Sequence, residues 1–487
     1  MDKRLILTEG ANPNYLATIC KIGKLCPIEN ADRLLKTVVN GYDIVVSKDF
    51  HEGDIVVYFP VESCISQKFL SANNQYGQSD FELNQNAEEV KAILSGLESM
   101  DDEGKKAAGD KVKALCGFFN GNGRVRMLKL RGQYSMGFIS GIDSLVKYDS
   151  SLADVNWEEN VGVQFNTVGD DLLVKKYVPK IKPKVESDGS HKNYFWKKSM
   201  SRLRRFNCMI DGQFEFHYET EHLQEHMDRI SPEDNVSISL KVHGSSFIIS
   251  NILCLKNLPW WKKVLKRLGA NIKDKEFKKI YSSRRVIQNE DVNPNKDSYY
   301  SENIYDCVFR DFGGFVPERM TVYGEIVGYL EGAQTMIQKD YDYGCNEGEW
   351  KFMPYRITET DEHGNKKEWN LKEVDAWTEN LVQEHPELAK KVLRLTILYY
   401  GKMGDLYPDI DVSQHWRENV LERLKTEKKF LMEELEPLCK HKVPREGIVL
   451  RIIDDKFPEA WKLKCKAFWD RETKQHDKGE VDMEETA

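Results

Sequence analysis

The chain has 487 residues, with 71 Lys+Arg against 79 Asp+Glu for a formal net charge of −8, and 40% of its side chains are hydrophobic. That exceeds one ordinary domain at ~100–200 residues each, and supplies enough apolar surface for buried cores. No uncharged apolar run nears the ~18 residues of a bilayer span, no signal-type segment follows Met1, and the ten cysteines form no CxxC pair, so the expectation is a cytoplasmic chain without membrane partner, zinc site or disulfide framework.

In chain order, the first 64 residues read as short strands at 17–25, 35–39, 42–46 and 55–60, with Asn40-Gly41 as a hairpin turn between two of them. Residues 67–115 are polar and helix-friendly, an insertion, and strand character returns in GRVRMLKLRGQYSMGFIS. Five or so strands with one long insertion fit a small OB-type barrel over residues 1–172, a form that commonly binds nucleic acid. Arg124, Arg126, Lys129 and Arg131 lie near or on one of its strands, a plausible phosphate track.

A linker follows at 173–205, Pro-containing and basic, with eleven Lys/Arg against two acids from Leu173 to Phe206. The overall negative charge does not exclude nucleic acid, because local density binds phosphate. A second basic stretch, from Pro259 to Arg285, has ten Lys/Arg against two acids. Tyr194, Phe195 and Trp196 in the first stretch and Trp260 and Trp261 in the second could stack on bases; the plainer reading of each is a solvated linker or helix face. Residues 206–487 form the second domain, where strands alternate with mixed and helical segments without βαβ rhythm, so the class is α+β. Insertions at about 251–280 and 371–437 carry no assigned role.

Alternation in the strand ending at Lys241 puts Ile238 and Leu240 on one face and Ser237, Ser239, Lys241 and His243 on the other. Gly244 then turns the chain into a second strand. A lysine so placed becomes a nucleophile when burial or neighbouring cations lower its pKa. The run from Trp461 to Lys466 places Lys462, Lys464 and Lys466 on one predicted strand face, suited to a triphosphate. Glu325 shares a strand face with Tyr323 and Val327, and Glu446 sits beside Ile448 and Leu450 on an apolar strand face, odd places for a charge unless they bind ribose or a cation, and Arg284-Arg285 suits bidentate phosphate contact. Each alone also reads as surface or ion-pair chemistry.

Taken together, KVHGSS at Lys241, SSRR ending at Arg285, YGEIVG at Tyr323, FMPYRI at Phe352, REGIVLR at Arg445 and KLKCK at Lys462 resemble the successive motifs of the covalent nucleotidyltransferase superfamily of ligases and capping enzymes. The KxHG form is similar to the RNA ligase 2 and RNA-editing ligase branch, and the N-terminal OB-like module resembles the Deinococcus-type RNA ligases. The resemblance implies a C-terminal nucleotidyltransferase domain of ATP-grasp-like antiparallel sheets flanked by helices, using ATP and Mg²⁺ or Mn²⁺ to seal 3′-hydroxyl and 5′-phosphate RNA ends, with RNA in a nicked duplex or on a template as partner and a monomer as the working form.

Residue by residue, it implies that Lys241 forms lysyl-AMP and that Lys464 and Lys466 bind phosphate. His243, Gly244 and Arg284 (or Arg285) would contact the nucleotide or the incoming 5′ end, Glu325 the ribose or metal, and Glu446 a divalent ion. Tyr355 would stack on adenine, with Phe352 the competing choice. Leu240 stands where that branch usually has Glu, and Ser246 where it often has Asn. The alternatives are a DNA ligase, a GTP-dependent capping enzyme, or a non-catalytic RNA-binding protein.

Overall fold

Asn40 and Gly41 have φ of 51° and 79°, the left-handed pair that a two-residue hairpin needs, and they join strands Leu34–Val39 and Tyr42–Ser47 in register. The computed structural model describes residues 2–97, 100–179, 208–289, 304–412, 415–430, 432–453 and 459–479. Most of the basic linker, with Tyr194, Phe195 and Trp196, lies outside the described residues. The chain divides into two units, Met1–Pro179 with Trp469–Asp477, and Lys180–Phe468 with Lys478–Ala487.

In the first unit the strands run Phe138–Gly141, Ile55–Phe59, Ala17–Lys21, Gln164–Phe165 across a four-stranded sheet. Val57 and Phe59 enter one core and Val56 and Tyr58 another, so Ile55–Phe59 is covered on both faces and its sequence is an uninterrupted apolar run. The 67–115 insertion supplies helices Gln67–Ala72, Ala87–Ser95 and Asp102–Leu115.

Arg124, expected on a phosphate track, is instead 3% exposed. Its Nε and Nη2 donate to Glu62 at 2.8 and 2.6 Å, and its Nη1 to Asp477 Oδ1 at 3.0 Å. A guanidinium saturated by two carboxylates offers phosphate nothing.

The second unit is built on two five-stranded sheets. One orders Glu221–His222, Ala460–Lys464, Gly447–Ile452, Asn235–Lys241 and Ile397–Lys402; the other orders Lys275–Ser282, Ser245–Leu255, Met320–Gly328, Trp350–Thr360 and Lys366–Glu368. In the first, Val236, Ile238, Leu240, Ile448, Leu450, Trp461 and Leu463 form one apolar face, packed with Val420, Leu421 and Leu424 of helix Trp416–Thr426. In the second, Val322, Ile326, Phe352 and Ile357 pack with helices Ile304–Phe312 and Leu371–Glu384. Apolar faces covered by helices leave the alternate, polar residues of both sheets to line the space where the site forms. The 371–437 insertion also contributes Ile397–Lys402, an edge strand paired with Asn235–Lys241.

Candidate active site

The site starts from strand register. Lys241 lies opposite Gly447, which lies opposite Lys464; two residues along, Ser239, Val449 and Lys462 form the next row on the same face. Side chains in a row share a face. The strand ends at Lys464, and Lys466 opens helix Lys466–Asp477. The predicted three-lysine face therefore carries only Lys462 and Lys464, and the Lys466 backbone N–H donates to Glu433 Oε1 at 2.8 Å.

Glu446 was expected beside Ile448 and Leu450. Instead it points to the polar side, where its Oε1 lies 2.9 Å from Lys241 Nζ and its Oε2 3.8 Å from His243 Nδ1. Gly447 makes this turn possible: it has φ +150°, and a Cβ there would lie 2.0 Å from the Leu463 carbonyl oxygen, so only glycine fits. Burial would raise the Glu446 pKa, but Lys241, His243 and Lys464 more than offset it and hold the carboxyl below its ordinary range. Glu446 Oε2 accepts no hydrogen bond.

The turn after Lys241 is pinned. The His243 backbone N–H donates to Tyr343 Oη at 2.8 Å, and Gln338 Nε2 donates to the Gly244 carbonyl at 2.9 Å. The His243 ring stands edge-on between Tyr341 and Phe468, each centroid 5.0 Å away. A Cβ on Gly244 would approach Ile326 O to 2.6 Å and Glu325 Cβ to 3.2 Å, so the glycine lets the lysine strand cross against the strand that carries Glu325. Glu325 is 9% exposed and lies opposite Ser246.

Arg284 and Arg285 converge on one carboxylate the sequence did not single out, Glu219; Arg285 Nη2 lies 2.7 Å from its Oε1. Burial would raise the Glu219 pKa, but Arg284, Lys462 and Arg285 bring it below the ordinary value. Lys462 is the most perturbed cation: burial and the neighbouring Lys464 and Lys241 bring its pKa down to about 7.

Tyr355 and Phe352 separate clearly. The register slips between Tyr323 and Gly324, whose partners are Arg356 and Pro354, so Tyr355 is the extra residue of a bulge, a device that re-aims a side chain. Its ring lies 5.3 Å from that of His217. Phe352 is 1% exposed, edge-on to Phe247 and Phe312 in the core, with no face left for a ligand. Burial together with Arg356, Arg451, Arg284 and Lys241 pushes His217 well below its ordinary pKa and keeps it neutral. His217 and Glu219 were missed because they lie in a segment without strand or helix pattern, just after the linker.

The structure thus brings together Lys241, His243, Gly244, Glu446 and Lys464, sets Glu325 on the strand crossing Gly244, and pairs Arg284 and Arg285 with Glu219. No group of three or more His, Cys, Asp or Glu among the described residues could by itself hold a metal ion. No helix among them is long and apolar enough to cross a membrane.

A family model for an OB-fold domain matches residues 16–89. No curated protein matches the chain significantly. Solved structures of Naegleria gruberi RNA ligase are similar to it. A point mutant with AMP and Mn has 17% identity over 93% of this chain and 98% of that chain, with a TM-score of 0.50. A different point mutant in the apo state and the ligase with PPi each have 18% identity over 94% and 98%, also with a TM-score of 0.50. At this identity the likeness establishes fold alone: an N-terminal OB-fold domain and an α+β unit, an architecture similar to that of the solved RNA ligase.

Proposed function

We propose that the chain is an ATP-dependent RNA ligase that seals 3′-hydroxyl to 5′-phosphate ends, with residues 1–172 as the nucleic-acid module, 173–205 as linker and 206–487 as the adenylyltransferase domain. The observation that carries this reading is a strand-end lysine, Lys241, held 2.9 Å from the buried carboxylate of Glu446 and in one row with Lys464. Lys241 Nζ, as the neutral amine, attacks the α-phosphorus of ATP; an N–P bond forms, the bond to the bridging oxygen breaks, and pyrophosphate leaves toward Lys462 and Lys464. The Glu446 carboxylate, held below its ordinary range, accepts from the amine and aims it, and the proton that nitrogen sheds as the N–P bond forms passes to solvent. AMP then passes from Lys241 to the RNA 5′-phosphate, and a 3′-hydroxyl attacks that phosphate and displaces AMP.

Glu325 and Glu446 are the carboxylates that would hold Mg²⁺ or Mn²⁺. Two carboxylates with substrate phosphates suit Mg²⁺, which seldom takes a full protein cage, and Glu446 Oε2 has bonding capacity left. The bound ion would offset phosphate charge. Tyr355, aimed by its bulge, is the residue for the adenine face. RNA in a nicked or templated duplex is the proposed partner, a monomer the working form, and the cytoplasm its place. The test is incubation with α-labelled ATP or GTP, then with nicked duplexes that differ in the sugar of the 3′-hydroxyl strand. ATP should label the protein and RNA nicks should be sealed; labelling by GTP alone would point to a capping-type enzyme, and sealing only of deoxyribose ends to a DNA ligase.

A further inference from the structure

Helix Trp260–Arg267 contributes no buried residue to the fold. Trp260, Trp261, Val264, Leu265 and Leu268 each remain between 42% and 78% exposed. At 3.6 residues per turn these five fall within an arc of about 140°, and Lys262, Lys263, Lys266 and Arg267 take the other side. Such a face is a cost to a free protein unless something covers it.

The helix caps a hairpin arm. Strands Ser245–Leu255 and Lys275–Ser282 pair from Ile248 opposite Ser282 to Leu255 opposite Lys275. Both strands are rooted in the site: one begins beside Gly244, and the other ends two residues before Arg284. Residues 245–250 also pair with Met320–Gly328, and residues 251–255 carry the hairpin past that pairing, so that the path along the first strand is about 33 Å at ~3.3 Å per residue. Residues 256–279 hold nine Lys/Arg and two acids, a local charge of 9 − 2 = +7 in a chain of net −8. Both acids are already engaged, Asp274 by Lys266 and Glu276 by Lys256 at 3.5 Å.

We infer that this arm binds the RNA strand being joined, its cations on the phosphates and Trp260 and Trp261 stacked on unpaired bases, about ten nucleotides from Lys241 at ~3.4 Å per phosphate. This rests on the ligase reading for its substrate. RNA is favoured over a lipid surface because positive charge continues along the second strand, at Lys275, Lys278 and Lys279, toward Arg284. A membrane-lying helix would carry the cations on its own polar side, whereas five of the nine here, Lys256, Lys273, Lys275, Lys278 and Lys279, lie off the helix, and two turns bury little apolar area.

The test uses the full-length protein and two exposed-surface variants, Trp260→Ala with Trp261→Ala, and Lys262→Glu with Lys263→Glu and Arg267→Glu. Affinity is measured for a nicked RNA duplex with a ten-nucleotide single-stranded tail, for the same duplex blunt-ended, and for phosphatidylserine–phosphatidylcholine vesicles, alongside lysyl-AMP formation. The tryptophan variant should lose about tenfold or more for tailed RNA and little for blunt RNA. The charge variant should lower the slope of log affinity against log salt by about 2–3. Both should form lysyl-AMP at the parent's rate. Parent-like binding of tailed RNA by both variants would overturn the inference, as would loss confined to vesicles. A parent that binds tailed RNA through the arm yet forms no lysyl-AMP would contradict the ligase reading and leave the arm standing.

Discussion

Glu62 in the first unit and Glu446 in the second are made from the same parts: a carboxylate no more than 4% exposed, a histidine and a cation. Glu62 is saturated. Arg124 holds both of its oxygens at 2.6 and 2.8 Å, Thr473 Oγ1 donates to Oε1 at 3.2 Å, and His476 Nδ1 lies 2.7 Å from Oε2. Glu446 has Lys241 on one oxygen and no hydrogen bond on the other, with Lys462 and Lys464 one strand away. A closed network stabilises a fold, whereas an open one with surplus positive charge keeps capacity for an anion, which stabilises it on binding. The difference separates a clasp that holds Trp469–Asp477 to the first unit from a centre that waits for phosphate.

The sharpest way to break the comparison is to exchange the consequences. Glu62→Ala should destabilise the first unit by about 3–5 kcal/mol, because Arg124 is left buried with Asp477 as its one remaining carboxylate partner and His476 loses its own; denaturant melts would measure it. Burial alone would raise the Glu62 pKa, but His476 and Arg124 hold it below the ordinary value. Its contribution should be full above the unfolded carboxylate value of about 4.3 and be lost as pH falls through the lower folded value. Melts that do not move across that acid range would contradict the clasp.

Glu446→Gln should do the reverse, costing about 100-fold or more in lysyl-AMP formation with stability changed by less than the Glu62 loss. A rate like the parent's would mean that the carboxylate does not orient the amine. Tyr355→Ala should raise KM for ATP about tenfold and leave the melt unchanged, whereas Phe352→Ala should cost about 3–5 kcal/mol of stability. Smallest in energy but most specific is Lys462. With a pKa of about 7 it is mostly neutral at pH 8 in the free protein, and triphosphate oxygens should restore its charge. ATP binding at pH 8 should therefore take up close to one proton, seen as buffer-dependent binding heat, and Lys462→Met should abolish that uptake.

Much of this was legible in the residues. Asn40-Gly41 specified its hairpin, and alternation through Lys241 gave both faces of its strand, because period-two patterns on half-buried strands are strong. Four features were not. Glu446 leaves its predicted face because Gly447 takes a conformation no pattern announces. The Lys462–Lys466 alternation was cut when a helix began at Lys466. Arg124 resembled a phosphate contact because its partners, Glu62 and Asp477, are remote in sequence. Strand Ile397–Lys402 escaped notice within a helical stretch, where the Tyr399-Tyr400-Gly401 run gives only weak alternation.

The central claim is that Lys241 is the nucleophile. The direct measurement is to incubate the protein with ATP and a divalent ion, digest it, and locate the AMP-modified peptide by mass spectrometry, beside Lys241→Ala at matched folding. The adduct should sit on Lys241 and be absent from the variant. An adduct on Lys462 or Lys464, or a Lys241→Ala protein modified as fully as the parent, would contradict it.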